Sequence, residues 1–166
     1  MTNSKTEINV RRYEETDLPQ MIEIWNQVVE DGIAFPQTEP LNEQTGREFF
    51  QEQTYAGIAE LNGSIIGLYI LHPNNVGRCG HIGNCSYAIR SGLRGLGAGE
   101  KLVSHSLKTA ARHGFRLIQF NAVVSTNHVA LHIYEKLGFT RLGTIPGGFL
   151  MKDGHYEDII LFYIEL

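Results

Sequence analysis

The 166-residue chain is poor in cysteine and contains no long apolar run. Its two cysteines, Cys79 and Cys85, are too few for a disulfide framework, and we expect both to be free thiols. A membrane-spanning helix needs about eighteen or more consecutive apolar residues, and no stretch of this chain approaches that length. The opening residues, Met1 to Thr6, lack the apolar segment of a secretory signal. These absences favour a cytoplasmic protein.

The chain also lacks an excess of positive charge. It carries 14 Lys and Arg against 18 Asp and Glu, a formal net charge of -4. This balance argues against general nucleic-acid binding, because that binding depends on neutralising phosphates. Hydrophobic residues make up 42% of the chain and charged residues 19%, without a low-complexity segment or an internal repeat. Length and composition together predict a single globular domain covering residues 1–166.

The most informative stretch is rich in glycine and runs from Ala88 to Leu102. The apolar run from Cys85 to Ile89 predicts a strand, and after the glycines apolar residues recur at helical spacing until His113. The backbone N–H groups in the first turn of a helix have no partners inside the helix and carry partial positive charge. Glycines remove the Cβ atoms that would hold a phosphate away. This turn therefore predicts an anion site.

Two familiar phosphate loops do not fit the spacing of this turn. A Walker A loop needs a lysine directly after its last glycine, but Glu100 separates Gly99 from Lys101. A dinucleotide fingerprint needs G-x-G-x-x-G and an acid about twenty residues later, and residues 117–121 contain no carboxylate. The pattern present is Arg94-x-x-Gly97-x-Gly99. A glycine-rich connection without a ligand is the remaining alternative.

Apolar spacing in the first half of the chain predicts both helices and strands. We expect a strand, a helix capped by Thr16-Asp17, a short apolar loop, a second helix and a β-hairpin with an Asn-Gly turn. These elements cover, in order, residues 8–13, 18–31, 33–36, 42–53, and 55–61 paired with 64–71.

The second half continues this alternation. A strand over residues 115–124 follows a helix-length crossover, so it should lie parallel to the strand that ends at Ile89. A ligand then belongs at the carboxyl ends of this pair. Ser125, Thr126 and Asn127 begin another helix, which Gly138 closes. Two final antiparallel strands, residues 139–144 and 156–166, are predicted to be joined by a glycine-rich loop.

A second motif lies on the helix that begins at Asn127. It reads Asn127-x-x-Ala130-x-x-x-Tyr134-Glu135-Lys136-Leu137-Gly138-Phe139. Together with the glycine-rich turn and the order of elements, it resembles the GCN5-related N-acetyltransferases (GNAT) over nearly the whole chain. The resemblance implies an α/β (α+β) fold with a mixed central sheet of about six to seven strands, flanking helices and a splayed parallel strand pair that forms the acyl-CoA cleft. It also implies acetyl-CoA as cosubstrate, and no metal.

The resemblance implies a role for each matching residue. The main chain around Ile89 contacts the pantetheine and thioester, and the glycine-rich turn cradles the pyrophosphate. Asn127 contacts the cofactor arm, and Tyr134 faces the sulfur as the catalytic residue, where an un-ionised tyrosine can donate a proton to the leaving thiolate. The implied cofactor-binding residues are Tyr87, Ala88, Ile89, Arg94, Gly95, Leu96, Gly97, Ala98, Gly99, Asn127 and Tyr134.

Within this family the chain looks most like the phosphinothricin-type amino-acid N-acetyltransferases. The likeness is carried by residues 34–35, 132–139, 147–149 and 154–158. One position departs from the pattern, because the carboxylate that is the proposed base of those enzymes falls on Asn84 here. An amide cannot accept the proton of an ammonium group, so the base is missing or replaced.

Several other residues are candidates for the base. His81 lies three residues before Asn84, and its imidazole is of the type that relays protons. Three acids are also available: Glu60, Glu157 and Asp158. Nothing in the spacing selects among them. His128 and His132 are four residues apart, but with no third ligand nearby this pair predicts a solvated helix face instead of a metal site.

These features predict an N-acetyltransferase that moves an acetyl group from acetyl-CoA to the primary amine of a small molecule, an amino acid or related amine, by direct attack. The loop over residues 33–40 and the tail after Thr144 should narrow the cleft for such an acceptor. Two alternatives stay open: acetylation of a protein N-terminus or lysine, and an idle acyl-CoA-binding sensor, which the amide at Asn84 favours. The family is often dimeric, and the strand over residues 159–166, apolar on both faces, suggests a homodimer interface.

Overall fold

The computed structural model describes residues 7–166; the segment Met1 to Thr6, on which the expectation about a secretory signal depends, lies outside the described residues. Within that range the strands are β1 (Asn9–Arg12), β2 (Tyr55–Leu61), β3 (Ser64–Pro73), β4 (Ile82–Ile89), β5 (Leu117–Val124), β6 (Thr140–Leu150) and β7 (Tyr156–Glu165). The helices are α1 (Leu18–Asp31), α2 (Glu43–Gln51), α3 (Ala98–Arg112) and α4 (His128–Lys136). No helix in residues 7–166 combines the length and the apolar character that crossing a membrane requires.

The seven strands form one sheet in the order β1-β2-β3-β4-β5-β7-β6. Neighbouring strands are antiparallel except β4 and β5, which are parallel. The predicted mixed sheet and its parallel pair are therefore confirmed. At the β2–β3 turn, Asn62 and Gly63 have φ angles of 53° and 79°. A two-residue type I′ turn requires such left-handed residues, which is why the Asn-Gly pair predicted this hairpin correctly.

The sheet separates two apolar cores. On one face, α3 and α4 pack against the centre of the sheet, and the residues buried there include Leu102, Val103, Ile118, Phe120 and Phe162. On the other face, α1 and α2 supply a core that includes Met21, Trp25, Val28, Phe50 and Leu68. Most apolar residues of α1 are buried, including Ile24, whereas Ile22 is partly buried. Each helix is therefore held to the sheet by burial of its apolar stripe.

The parallel strands β4 and β5 pair over a short distance and then separate. Their register contains only Ile82 opposite Leu117 and Gly83 opposite Ile118. Beyond these residues β5 pairs on its other side with β7, and its register there shifts between Phe120 and Val123. The carboxyl-terminal half of β4 therefore has no strand partner on its β5 side, and a gap opens between the two strands.

Asp17 does not cap α1, contrary to the prediction. Its carboxylate accepts a hydrogen bond from Arg11 Nη1 at 2.7 Å and another from the backbone N–H of Glu14 at 2.7 Å. These bonds close a 3-10 turn over residues 15–17, and no side chain caps the helix that follows. The prediction failed because the carboxylate is bound by Arg11 on β1 and by the backbone N–H of Glu14 instead of by the first N–H groups of α1.

The final hairpin also differs from its prediction. Strand β6 continues to Leu150, so the two glycines expected in a loop, Gly147 and Gly148, lie within the strand. A Cβ on Gly148 would lie 2.5 Å from Cγ1 of Ile159, so this glycine allows close approach of β7. The turn is formed by residues 151–155. Strand β7 lies between β5 and β6, so β6 is the edge of the sheet and the strand predicted to pair across an interface is internal.

Candidate active site

A cleft of about 500 Å³ opens at the carboxyl-terminal end of β4. Its walls come from the end of α1 and the loop that follows it, the end of β4, the turn before α3, and α4. The lining residues are Val28, Asp31, Ile33, Ala34, Tyr87, Ile89, Leu93, Arg94, Gly95, Gly97, Ala98, Gly99, Glu100, Val103, Thr126, Asn127, His128, Val129, Ala130, Ile133 and Tyr134. The cleft thus brings together the two sequence motifs, which are far apart in the chain.

The turn before α3 forms one end of the cleft. Gly97 is the N-cap of α3 with a φ angle of 85°, and no side chain caps the helix. The first-turn N–H groups therefore face the cleft without a covering side chain, and the helix dipole adds partial positive charge there. Arg94 is exposed beside this turn and adds a full charge. This end of the cleft suits a phosphate or diphosphate group.

The glycines of the turn have two different roles. Gly95 and Gly97 have φ angles of 84° and 85°, a conformation that residues with a Cβ rarely adopt. A Cβ on either would meet no atom within 4 Å, so the backbone angle and not the space accounts for glycine there. Gly99 differs, because its Cβ would lie 3.1 Å from Cδ1 of Ile133. The absence of a Cβ at Gly99 lets α3 approach α4.

The middle of the cleft is lined by the end of β4. Because β4 separates from β5 after Gly83, backbone N–H and C=O groups on that side of the strand have no ladder partner. Such groups can bind an extended amide chain as a neighbouring strand would. The surrounding side chains are mostly apolar, including those of Ile89, Leu93 and Val103. This part of the cleft suits an extended chain that carries amides.

Tyr134 lies on α4 at the inner side of the cleft. Its ring packs against Phe120, Phe139 and Phe162 with centroid distances of 4.5, 5.3 and 5.7 Å, and the residue is 9% exposed. Burial raises the pKa of its hydroxyl above the ordinary tyrosine value, since the ionised form is not hydrated there. The phenol therefore keeps its proton at neutral pH and can act as a hydrogen-bond donor.

Asn127 lies at the start of α4. Its Oδ1 accepts a hydrogen bond from the backbone N–H of Ala130 at 3.2 Å, so the residue is the N-cap predicted from the sequence. It also lines the cleft. The same residue therefore anchors the helix that carries Tyr134 and presents polar atoms to the cleft.

Two of the predicted cofactor-binding residues do not line the cleft. The Ala88 side chain is 1% exposed and belongs to the core beneath α1, on the opposite face of the sheet. Leu96 is 50% exposed at the surface of the turn. Side chains alternate along a strand, so Tyr87 and Ile89 face the cleft and Ala88 faces away. Any contact by Ala88 would use its main chain.

The candidate bases predicted from the sequence lie elsewhere. Glu60 accepts a hydrogen bond from Nε of Arg11 at 3.3 Å on β2, two strands away from β4. Glu157 binds Nε2 of His155 at 2.8 Å, and Asp158 accepts from the backbone N–H of Gly147 at 2.9 Å. His81 is exposed just before β4. None of these four residues lines the cleft.

Asn84 belongs to a network of uncharged amides. Its Nδ2 donates to Oδ1 of Asn74 at 3.1 Å, and Nδ2 of Asn121 donates to the same oxygen at 2.6 Å. Gln119 donates in turn to Oδ1 of Asn121 at 3.0 Å. The position that carries an acid in the phosphinothricin-type pattern is therefore an amide that is bonded to other amides.

Sequence reasoning predicted the apolar loop after α1 as a wall of a pocket, and Ile33 and Ala34 do line the cleft. It missed Val28 and Asp31 on the last turns of α1. In the sequence, Val28 is one of the apolar residues expected on the buried face of α1, and a single acid before the glycine that ends a helix gives no local signal of a site. The position of α1 relative to β4 places both residues at the cleft.

Comparison with known proteins identifies the architecture. The model of the acetyltransferase (GNAT) family matches residues 18–139, which is more than half of the chain and includes both motifs. The chain belongs to the GNAT acetyltransferase family. Acetyl-CoA is the cosubstrate of this family. The resemblance stated from the two motifs is thereby confirmed.

Two curated relatives differ in how much of them the chain covers. N-acetyltransferase aca1 from Schizosaccharomyces pombe is 36% identical over 101 residues, which are 60% of this chain and 48% of aca1. The chain thus spans about half the length of that relative. YwnH from Bacillus subtilis, whose name assigns it provisionally to phosphinothricin acetyltransferase, is 27% identical over 160 residues, which are 93% of this chain and 97% of YwnH.

A solved structure shares the whole fold. The GNAT phosphinothricin acetyltransferase from Sinorhizobium meliloti, crystallised in complex with AcCoA, matches with a TM-score of 0.88 and 21% identity. The match covers 96% of this chain and 88% of that chain. The seven-stranded sheet with its single parallel pair is therefore the GNAT fold.

The cleft of this chain fits acetyl-CoA along its length. The uncapped start of α3 and Arg94 suit the diphosphate, and the unpaired edge of β4 suits the amides of the pantetheine arm. Tyr134, protonated and buried, lies at the inner side where the thioester would end. Positive charge thus lies where the diphosphate of acetyl-CoA needs it, and unpaired backbone groups with an apolar lining lie where the pantetheine arm needs them.

Proposed function

We propose that the protein is an N-acetyltransferase that moves the acetyl group of acetyl-CoA to the primary amine of a small molecule, an amino acid or a related amine. The observation that carries this proposal is the continuity of one cleft from the anion-binding turn at residues 94–99, along the unpaired edge of β4, to the buried hydroxyl of Tyr134. Acetyl-CoA supplies the activated acetyl group as a thioester.

The chain's own residues bind, orient and donate a proton. The unprotonated amine attacks the thioester carbonyl, a C–N bond forms, and the C–S bond breaks with the electron pair going to sulfur. The nitrogen gives up one proton to water, and a proton from water restores the hydroxyl of Tyr134. A backbone N–H near Ile89 holds the carbonyl oxygen, and Tyr134 donates its hydroxyl hydrogen to the sulfur as that atom becomes charged. Burial keeps Tyr134 protonated for this step by raising its pKa.

The walls of the cleft support a small acceptor. Ile33 and Ala34 close the cleft on the side of α1, and the turn after β6 is tied to the same region by a hydrogen bond from the backbone N–H of Lys152 to the carbonyl of Gly32 at 3.1 Å. A protein N-terminus or a lysine needs an open groove on this side. We therefore favour a free amino acid or a related amine over a protein acceptor.

An amine panel tests the proposal. Purified protein is supplied with acetyl-CoA and with amino acids, other small amines or short peptides, and the release of free CoA thiol is measured against a reaction without amine. We expect thiol release with at least one class of small amine and less with peptides. Binding of acetyl-CoA without thiol release from any amine would instead identify an acyl-CoA-binding sensor, the function that the amide at Asn84 favours.

We also propose a homodimer in the cytoplasm, with the domain spanning residues 1–166. The edge strand β6 and the turn end of β7 expose large apolar side chains, namely Leu142, Ile145, Leu150 and Tyr156. A second copy can cover such an edge, which otherwise invites unspecific pairing. The free thiols of Cys79 and Cys85 are consistent with a reducing compartment.

A further inference from the structure

Asp31 is the one carboxylate among the cleft-lining residues that has no cationic partner in residues 7–166. The other lining carboxylate, Glu100, accepts a hydrogen bond from Nζ of Lys136 at 2.9 Å. Within the described range no Lys, Arg or His nitrogen lies within 4.0 Å of the Asp31 carboxylate. Its neighbour Glu30 differs, because Nζ of Lys152 contacts its carboxylate at 2.8 Å.

The last turns of α1 are fixed at two points. One turn before Asp31, Oε1 of Gln27 accepts a hydrogen bond from the backbone N–H of Ser91 at 2.9 Å, just beyond the end of β4. Directly after Asp31, the carbonyl of Gly32 accepts from the backbone N–H of Lys152 at 3.1 Å, just beyond β6. Because β5 and β7 lie between β4 and β6 in the sheet, this stretch of α1 spans the gap that opens between β4 and β5. Asp31 therefore lies over the gap between β4 and β5, outside the part of the cleft that suits the cosubstrate.

The cleft lining carries charges of both signs. The start of α3 and Arg94 supply positive charge, which suits the diphosphate. On the wall that α1 forms, Asp31 supplies a full negative charge. The carbonyls of Glu30 and Gly32 at the end of α1 already accept hydrogen bonds from Lys152, so the attraction for a cationic group comes from the Asp31 carboxylate.

We propose that the carboxylate of Asp31, at the carboxyl-terminal end of α1, binds the ammonium group of the acceptor. The inference rests on the proposed function, and it narrows the substrate class to small primary amines that are cationic at neutral pH. The negative charge beside the acceptor then comes from α1 and not from residue 84, which is an amide in this chain. Asp31 is a binding residue in this proposal, and its loss weakens acceptor binding.

The variant Asp31→Asn tests the inference, because it should weaken binding of the amine without weakening binding of acetyl-CoA. We expect the KM of a reactive cationic amine to rise about 10-fold to 100-fold, the usual range for one charge-assisted contact, while the Kd of acetyl-CoA changes less than about twofold. The matched control is Glu52→Gln, an exposed carboxylate at the C-cap of α2 that does not line the cleft. This control should leave both constants unchanged.

An uncharged acceptor gives a second readout that a structural role would not produce. Hydroxylamine is largely neutral at neutral pH, so Asp31→Asn should lower its acetylation less than about threefold, and Asp31→Glu should recover part of the loss with cationic amines. Equal KM values for Asp31→Asn and Glu52→Gln, or equal losses with cationic and neutral acceptors, would overturn the inference. If the unaltered protein releases no thiol with any amine, the proposed function fails with it; if thiol is released and the variants match, only this inference fails.

Discussion

At the scale of single residues, the same side-chain type has different consequences in different surroundings. The tyrosines illustrate this. Tyr134 packs among phenylalanines at the cleft, whereas Tyr55 is half-buried on β2, where Arg12 lies over its ring at 5.3 Å. Burial raises the pKa of both hydroxyls. Of these two tyrosines only Tyr134 lines the cleft, so we propose a chemical role for it alone.

The variant Tyr134→Phe removes the proposed donor while keeping the ring that packs in the core. We expect kcat to fall about 100-fold or more, because a positioned acid typically contributes at least that much, with the Kd of acetyl-CoA unchanged. Steady-state thiol release and calorimetry measure the two quantities. Tyr55→Phe is the matched control and should keep full activity. Unchanged kcat in Tyr134→Phe would remove this residue from the mechanism.

Asp17 is a residue whose contribution to stability depends on pH. Its carboxylate is bound by Arg11 and by a backbone N–H, and the hydrogen bond from Arg11 is the main reason that its pKa lies below the ordinary value. The lowered pKa means that the stabilisation is present above the unfolded-chain value of about 3.9 and is lost as pH falls through the folded value. We expect Asp17→Asn to lower the free energy of unfolding by about 1–3 kcal/mol at pH 7.

The measurement is urea unfolding at several pH values. The difference between the original chain and Asp17→Asn should shrink as the solution is acidified below about pH 4. Glu43→Gln is the control, since Glu43 is an exposed partner of Arg47 at 3.9 Å, and it should change stability by less than about 0.5 kcal/mol. A difference between chain and variant that is constant across pH would contradict the assignment.

At the scale of secondary-structure elements, the positions that matter are the ends. The start of α3, the start of α4 and the end of α1 all meet at the cleft. The start of α3 has no side-chain cap, whereas Asn127 caps the start of α4 and Lys152 donates to carbonyls at the end of α1. Only the first of these ends therefore leaves backbone groups free for a ligand. The strand β4 contributes in the same way, through the backbone edge that β5 leaves unpaired.

Gly97→Ala tests whether the turn before α3 grips the cosubstrate. A Cβ at this residue meets no atom within 4 Å, so the cost of the substitution comes from the φ angle of 85° alone. Gly114 is a close match, with a φ angle of 84° and no atom within 4 Å of its Cβ position, and it does not line the cleft. Both alanine variants should lose about 1–2 kcal/mol of stability.

Only Gly97→Ala should weaken acetyl-CoA binding, by about tenfold or more, because a shift of the turn moves the N–H groups away from the diphosphate. Thermal unfolding and calorimetry provide the two measurements. Equal acetyl-CoA affinity in the two variants would show that the turn does not bind the cosubstrate.

At the scale of the whole molecule, the exposed edge of the sheet decides the predicted assembly. The edge strand is β6, and the large apolar side chains it exposes include Leu142 and Leu150, at 54% and 58% exposure. Light scattering of the unaltered chain should give the mass of a dimer. Leu142→Glu combined with Leu150→Glu should give a monomer, because burying two charges against a second copy is unfavourable. The matched double variant Glu43→Gln and Glu48→Gln on α2 should stay dimeric.

The sequence by itself determined the order and type of nearly all the elements and the family. The hairpin at Asn62-Gly63 and the helix begun by Asn127 follow from local signals, since turn angles and caps depend on a few adjacent residues. The glycine-rich turn was also evident from spacing alone. Errors arose where a residue on another element decides the outcome, as with Asp17, which pairs with Arg11 on β1, and Gly148, which packs on Ile159 of β7.

The tertiary structure alone decided which side chains share the cleft. It separated Ile89 from Ala88, placed β7 inside the sheet with β6 at one edge, and brought the end of α1 across the gap beside β4. No periodicity marks Asp31, because its place in the cleft depends on the hydrogen bonds of Gln27 and Gly32 to other parts of the chain. Local propensity sets how each segment folds, whereas long-range contacts set which segments meet, and the acceptor end of this cleft is built from such meetings.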